Sequence, residues 1–214
     1  MNTIAVVDYG MGNLRSVAKA VEHVAGRDAR VVLTDDVTAI NQADRVIVPG
    51  QGAARGCMDA LRQHDLLDAL QEVVAKKPFL GICMGLQVLM QYSEENNGTD
   101  CMGLFGGNVC FFGNNPEFRS NDLKLPHMGW NRVVQQRQHP LWRGIADGAR
   151  FYFVHSYYVD PLDKEVIAAT TGYGIEFACA IARGNVFAVQ FHPEKSADEG
   201  LKLLGNFVRW DGQS

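Results

Sequence analysis

Phe79-Leu80-Gly81-Ile82-Cys83-Met84-Gly85 is the stretch whose reading decides the fold. An apolar run enters a cysteine flanked by glycines and leaves it in a segment, Leu86 to Tyr92, that reads as a helix. A buried strand that turns sharply into a helix needs glycine on both sides of the turn residue, because only a missing Cβ tolerates the crowding. The stretch is therefore read as a nucleophile elbow, with the Cys83 thiol held out at a sheet edge. The thiol also sits at a helix N-terminus, where unpaired N–H groups and the helix dipole favour thiolate and lower a pKa that starts near about 8.5.

A nucleophile of this kind needs a base. Val186 to Phe191 reads as a strand, and His192-Pro193-Glu194 follows it. Residues two apart in extended chain face the same side, so Glu194 is placed to reach the imidazole, with Pro193 stiffening the link. Cys83, His192 and Glu194 then take triad roles. The carboxylate holds one ring nitrogen as donor, and the other accepts the thiol proton and later protonates a leaving amine. The remaining cysteines carry no such setting. Cys57 lies in a helical pattern, Cys110 precedes Phe111-Phe112, and Cys179 alternates with small residues, so all three read as packing.

Working outward, Ile4 to Val7, Val31 to Leu33 and Val46 to Val48 read as strands preceding the elbow strand. Helical periodicity runs from about Leu14 to Val24, near Ala39, and from about Ala53 to Lys76 with a break near His64-Asp65. This alternation predicts an α/β fold of three layers, with a mostly parallel central sheet flanked by helices. Past Gly98 the texture becomes short, glycine-punctuated β segments, Val109 to Phe112, Phe151 to Val154, Val166 to Thr170 and Phe177 to Ala182, which add antiparallel strands in the C-terminal half. A last helix is predicted over about Asp198 to Trp210, and no linker or repeat divides residues 1–214 into more than one domain.

The chain has 214 residues, with 20 Lys and Arg against 24 Asp and Glu, a formal net charge of −4. With no basic run, nucleic acid and anionic membrane are not expected partners. Five cysteines without close spacing fit neither a disulfide framework nor a tetrahedral metal site, so neither metal nor cofactor is expected. With no positive leader before Ile4 and no uncharged apolar stretch of spanning length, the expected location is the cytoplasm.

Acyl transfer at Cys83 requires donors for an oxyanion. The amide of Met84, directly after the nucleophile, is one, and Pro49-Gly50-Gln51-Gly52 can supply another from Gln51 or Gly52. Read alone, that loop is equally an ordinary strand-to-helix connection. Glu94 to Asp100, the most polar segment, reads by itself as a surface loop.

With the elbow and the His-Pro-Glu segment in this order, the chain resembles the class I, or triad, glutamine amidotransferases over nearly its whole length. Asp8 to Leu14, Pro49 to Ala53, Leu125-Pro126-His127-Met128-Gly129-Trp130-Asn131, Tyr152 to Tyr157 and Gln190 to Ser196 narrow the resemblance to the glutaminase subunits of imidazole glycerol phosphate synthase. The Pro126 to Asn131 segment discriminates most. The resemblance implies that Cys83 attacks the side-chain amide of glutamine, that His192 moves the proton, and that Glu194 orients His192. A thioester on Cys83 is then hydrolysed to glutamate. Gly50, Gln87, Glu95, His155, Ser156 and Tyr157 fall at positions around the glutamine, which recasts Glu95 as a contact to its ammonium.

Ammonia released into neutral water is protonated and no longer nucleophilic, so it must be passed through protein to a second site. By resemblance the receiving partner is a cyclase subunit of (β/α)₈-barrel type in a heterodimer, and Asn13, Trp130, Tyr152 and Lys195 match the docking surface. Aromatic and cationic anchors are enriched at interfaces, although Trp130 alone would suit a core. Two departures from the pattern are visible: Gln51, where relatives often carry a small aliphatic residue, and Ala54, where they often carry a larger one. An amidotransferase of another pathway, a cysteine peptidase and a non-catalytic binding module are the competing readings. The last would normally lack a triad member.

Overall fold

The computed structural model describes residues 2–213. The first third alternates strands and helices: β1 (Asn2–Val7), α1 (Leu14–Ala25), β2 (Ala29–Thr34), α2 (Val37–Gln42), β3 (Arg45–Gly50), α3 (Ala54–Gln63), α4 (Leu66–Lys76) and β4 (Phe79–Cys83). One helical turn, α5 (Met84–Gln87), follows β4 directly, and β5 (Met90–Ser93), β6 (Thr99–Asp100), β7 (Phe105–Phe111) and α6 (Pro116–Arg119) come next. The remainder is β8 (His127–Arg132), β9 (Val134–Gln135), β10 (Arg150–His155), β11 (Tyr157–Pro161), β12 (Ile167–Tyr173), β13 (Ile175–Arg183), β14 (Val186–Val189) and α7 (Ala197–Arg209).

A mixed sheet runs in the order β2-β1-β3-β4-β14-β13-β11-β7-β5-β6, with β12 beside β13 and β9 beside β12. The five strands from β2 to β14 are mutually parallel. From β14 onward the pairing turns antiparallel through β13, β11 and β7. β10 and β8 pair antiparallel with each other as a separate ribbon.

The parallel half is buried on both faces, which is why β3 and β4 are apolar runs rather than alternating ones. Ile4, Val6, Leu80 and Ile82 turn to the side covered by α1 and α7. Ala5, Val7, Val46 and Val48 turn to the side covered by α2, α3 and α4. Each covering helix offers one apolar stripe: Leu14, Val17, Ala18, Val21 and Ala25 on α1, and Leu203, Leu204, Phe207 and Val208 on α7. Each fully buried leucine or phenylalanine there contributes about 2 kcal/mol of transfer free energy.

One expectation changes. The segment Leu86 to Tyr92 is not a helix beyond its first turn: the helix stops at Gln87, and Met90–Ser93 is a strand pairing with β7 and β6. Val88, Leu89 and Met90 are all buried, and a short apolar run with no polar face fits strand and helix alike; the carbonyls of Val88 and Leu89 decide it by accepting from Met102 and Phe105. The long helical stretch breaks where expected, into two helices separated at His64 and at Asp65, whose φ of 54° lies in the left-handed region.

Candidate active site

β4 ends at Cys83, whose φ of 55° and ψ of −106° place a non-glycine residue where L side chains rarely sit. Such strain costs on the order of 1–3 kcal/mol and persists only where packing enforces it. The enforcement is visible at the glycines. A Cβ on Gly85 would lie 1.8 Å from the carbonyl oxygen of Val48, and one on Gly81 would lie 2.5 Å from that of Gly85. The elbow is therefore not at a lateral sheet edge, as its sequence suggested. β4 lies between β3 and β14, and the sulfur emerges at the C-terminal end of an interior strand with Cys83 only 6% exposed.

The neighbouring strand β14 delivers the second group. His192 follows it by three residues, and Nδ1 lies 2.8 Å from Oε1 of Glu194. The chain does not reach this pairing by staying extended. Pro193–Lys195 form a 3₁₀ turn that folds the carboxylate back under the ring. Glu194's side chain is 1% exposed and that of His192 2%, so the pair is closed from water. His192 is tied further: its N–H donates to the Tyr152 carbonyl at 2.9 Å, and its carbonyl accepts from Ser196 Oγ at 2.6 Å.

Burial opposes charge on His192, but the neighbouring Cys83 sulfur and the Glu194 carboxylate outweigh it and raise the imidazole pKa to about 9. Nε2 is buried with no well-aligned partner. The sulfur is nonetheless close enough to favour the charged ring, through contact with it as well as through charge. Near neutrality the ring therefore holds a proton and sets a positive charge beside the sulfur.

A cavity of about 420 Å³ opens beside the sulfur, lined by Gln51, Gly52, Cys83, Met84, Gln87, Glu95, Pro126, Val154, His155, Ser156, Tyr157, His192 and Lys195. Gly50 is not among these. It lies behind the loop, on a smaller cleft with Asn13, Pro49, Gln51 and Glu194. A Cβ at Gly50 would meet Tyr9 Oη at 2.2 Å and Met84 Cβ at 2.7 Å. Tyr9 donates to the Pro49 carbonyl at 2.8 Å, and Cys57 Sγ lies 3.7 Å from the Gln51 carbonyl, so the loop is held from beneath. As the first residue of α5, Met84 has an amide with no intrahelical acceptor.

Around the cavity the polar groups divide their bonds. Glu95 Oε2 accepts from the Ala54 N–H at 2.7 Å, capping α3, while the residue remains on the cavity wall. Gln87 Nε2 donates to Gln190 Oε1 at 2.9 Å and to the Tyr157 carbonyl at 3.4 Å. Gln190 Nε2 faces Cys83 Sγ at 3.6 Å. His155 turns its ring inward: Nδ1 meets the Tyr157 carbonyl at 2.7 Å and Nε2 meets His127 Nδ1 at 2.9 Å. Burial keeps both of these rings neutral, lowering His155 to about 3 and His127 to about 4. His155 therefore offers the cavity its backbone and ring surface rather than a free nitrogen.

Of the four residues predicted for docking, Lys195 reaches the cavity wall, whereas Asn13 is exposed at the start of α1. Trp130 is 44% exposed and stands edge-on to Tyr152, with ring centroids 6.2 Å apart, on the β8–β10 ribbon. Met128, two residues before Trp130 on the same face, is 61% exposed. Sequence reasoning missed Gln190 and Tyr9. Both stand inside quoted motifs or beside them, and a buried polar side chain in an apolar strand is the signal that marks Gln190. Among the described residues no group of three or more His, Cys, Asp or Glu is placed to hold a metal ion, and no helix is long and apolar enough to cross a membrane.

The profile of the family described as Glutamine amidotransferase class-I matches residues 5–210. The chain is 53% identical over 213 residues to "Imidazole glycerol phosphate synthase subunit HisH" of Pseudomonas syringae pv. syringae, covering 100% of both chains. It is 57% identical over 210 residues to the protein of the same name in Thiobacillus denitrificans, covering 97% of this chain and 91% of the other. Among solved structures, the Trypanosoma brucei CTPS glutaminase domain with bound acivicin superposes with a TM-score of 0.68 at 18% identity, over 99% of this chain and 95% of that one. A cysteine elbow and a buried His–Glu pair meeting at one cavity, with a profile match spanning nearly every residue, lead to one assignment: the chain belongs to the class-I glutamine amidotransferase family.

Proposed function

We propose that this chain is the glutaminase subunit of an imidazole glycerol phosphate synthase, one domain over residues 1–214. The observation that carries the chemistry is the convergence of Cys83 and His192 on a cavity of about 420 Å³, room enough for an amino acid, with Glu194 bonded to His192 Nδ1 behind it. The thiolate of Cys83 adds to Cδ of the glutamine side chain, and the oxyanion falls to the Met84 amide and a loop amide of Gln51 or Gly52. The His192 imidazolium gives its proton to the leaving nitrogen, and ammonia departs as the thioester forms. Neutral His192 then takes a proton from water, hydroxide adds to the thioester, and collapse releases glutamate and the thiolate. Glu194 keeps Nδ1 as donor throughout, so that Nε2 carries the shuttled proton.

The substrate's charged ends are assigned to the cavity wall: its ammonium to Glu95, its carboxylate to the Ser156–Tyr157 segment, with Gln87 turned toward its backbone. The relatives' name, a synthase subunit, supports a second subunit that uses the ammonia in histidine biosynthesis. We assign that partner as a cyclase of (β/α)₈-barrel form in a cytoplasmic heterodimer, seated over Asn13, Trp130, Tyr152 and Lys195, with no role for nucleic acid. The exposed pair Met128 and Trp130 supports this face as the docking site.

Glutamate release by the purified chain, with and without the cyclase and its nucleotide ligand, tests the reading. Cys83→Ala is expected to abolish glutamine-dependent synthesis in the complex and to leave ammonia-dependent synthesis intact. Loss of both in a folded complex overturns the division of labour.

A further inference from the structure

Gln190 is fully buried, just past the end of β14, with its N–H donated to the Cys179 carbonyl at 2.8 Å. A carboxamide sealed from water costs several kcal/mol unless its donors and acceptor are met, so its orientation carries information. Three contacts fix that orientation. The Tyr157 carbonyl can only accept, so the Gln87 atom 3.4 Å away is its nitrogen. That nitrogen lies 2.9 Å from the Gln190 side chain, which must answer with its oxygen. The remaining Gln190 atom, 3.6 Å from Cys83 Sγ, is therefore Nε2, and it presents an N–H to the sulfur. Gln87 Nε2 thus donates both ways, to a backbone carbonyl on the cavity wall and to Gln190, whose own nitrogen donates on to the nucleophile, and no flip of either carboxamide satisfies all three contacts.

We propose that Gln190 is a catalytic residue of the nucleophile's own site, its side-chain N–H held against Cys83 Sγ to stabilise the thiolate from which attack begins. The inference rests on the reading of Cys83 as nucleophile. A hydrogen bond to an ionised acceptor is about twice as strong as one to a neutral acceptor, so the N–H favours thiolate over thiol. It approaches the sulfur separately from His192, whose Nε2 is thereby left free to serve the leaving group. Gln87 acts one bond further back, as a positioning residue that holds Gln190 by its oxygen.

The titratable groups around the sulfur are His192, Glu95, Tyr157 and Lys195 on the wall of the same cavity, with Tyr9 beyond β1 and Cys57 on α3 behind it. Burial pushes Tyr9 up and Cys57 up to about 11, so neither supplies charge near neutrality. Among the groups around the sulfur, Gln190 is the one whose side-chain N–H is directed at it, at 3.6 Å.

The test is the pH dependence of Cys83 alkylation by iodoacetamide, followed by mass spectrometry of the modified peptide, in the unmodified chain and in Gln190→Met, Gln190→Glu and Gln87→Met. Gln190→Met keeps the volume and removes the donor. It is expected to raise the alkylation midpoint by about one pH unit and slow the reaction near neutrality about tenfold. Gln190→Glu retains the acceptor for Gln87 and sets a carboxylate against the sulfur, so its midpoint is expected to rise further. Gln87→Met leaves Gln190 in place but frees it to turn, and a smaller rise is expected. An unchanged midpoint in whichever of these folds, as judged by circular dichroism, overturns the proposal, including the case in which only Gln87→Met does. Glutamate release by the unmodified complex is measured alongside. Its absence would defeat the glutaminase reading, while the alkylation midpoints would still decide whether Gln190 acts on the sulfur.

Discussion

Two histidine sites border the same cavity and differ in charge although both are buried. His155 and His127 bond to each other, to a carbonyl and to the Asn131 side chain, and burial drives both toward the neutral form, to about 3 and about 4. His192 is as well buried, yet the carboxylate and sulfur beside it lift it to about 9. Burial alone does not decide what an imidazole does. The neighbours of the ring do, and a sulfur and a carboxylate together separate a proton shuttle from a structural brace.

The hardest way to break the comparison is Glu194→Gln, which keeps an acceptor for Nδ1 and removes the charge. Glutamate release in the complex is expected to fall about 10²–10⁴-fold, and the His192 midpoint in the pH–rate profile is expected to move down toward the ordinary histidine value. An unchanged profile would show that the carboxylate's charge is irrelevant.

The converse change, Asn131→Asp, puts a carboxylate against His127 Nε2, where the amide now stands at 3.2 Å. The His127 midpoint, followed by NMR of its ring, is expected to climb from about 4 by about two units. The pair would then begin to resemble the active histidine electrostatically, without a sulfur to act on.

Stability against pH sharpens the contrast, because the two sites have opposite signs. His127 and His155 have depressed folded values, so the unfolded chain binds more protons below about 6.5 and stability is expected to drop as pH falls from there toward about 4. The loss is on the order of 1–3 kcal/mol. For His192 the folded value is raised, so its contribution is complete below about 6.5 and disappears as pH rises through about 9. Thermal midpoints across pH 4–9, in the native chain and in His127→Gln, are expected to show the acid limb flattening in the variant alone.

Trp130→Ala is expected to have the smallest effect. Affinity for the cyclase is expected to weaken about tenfold or more, with folding and glutamate release by the isolated chain unchanged, as titration calorimetry and a glutamate assay would show.

The parallel half of the fold was legible because each of its devices is local. Strand, glycine, cysteine, glycine and helix turn follow one another in the chain, and the apolar runs of β3 and β4 state their own burial. The His–Glu pairing was legible too, but not its geometry, since a 3₁₀ turn and an extended strand can both bring residues two apart together. What the sequence withheld is relational. Whether Met90–Ser93 continues a helix depends on β7, which is later in the chain, and the partner of Gln190 lies 103 positions away at Gln87. Glu95 reads as solvent-facing until α3 is seen to begin against it.

The loop after β3 has one further implication, for how this protein can drift or be redesigned. Position 50 admits no side chain, because the tyrosine hydroxyl and Met84 occupy the space, and position 52 carries a φ of 104° that disfavours any residue but glycine. Of positions 50, 51 and 52, only 51 is free of these constraints, and it touches both the main cavity and the small cleft behind it. Variation in this stretch is therefore funnelled through a single site, the one at which this chain bears a glutamine, and a saturation library there would sample nearly all the chemical diversity the loop can accept.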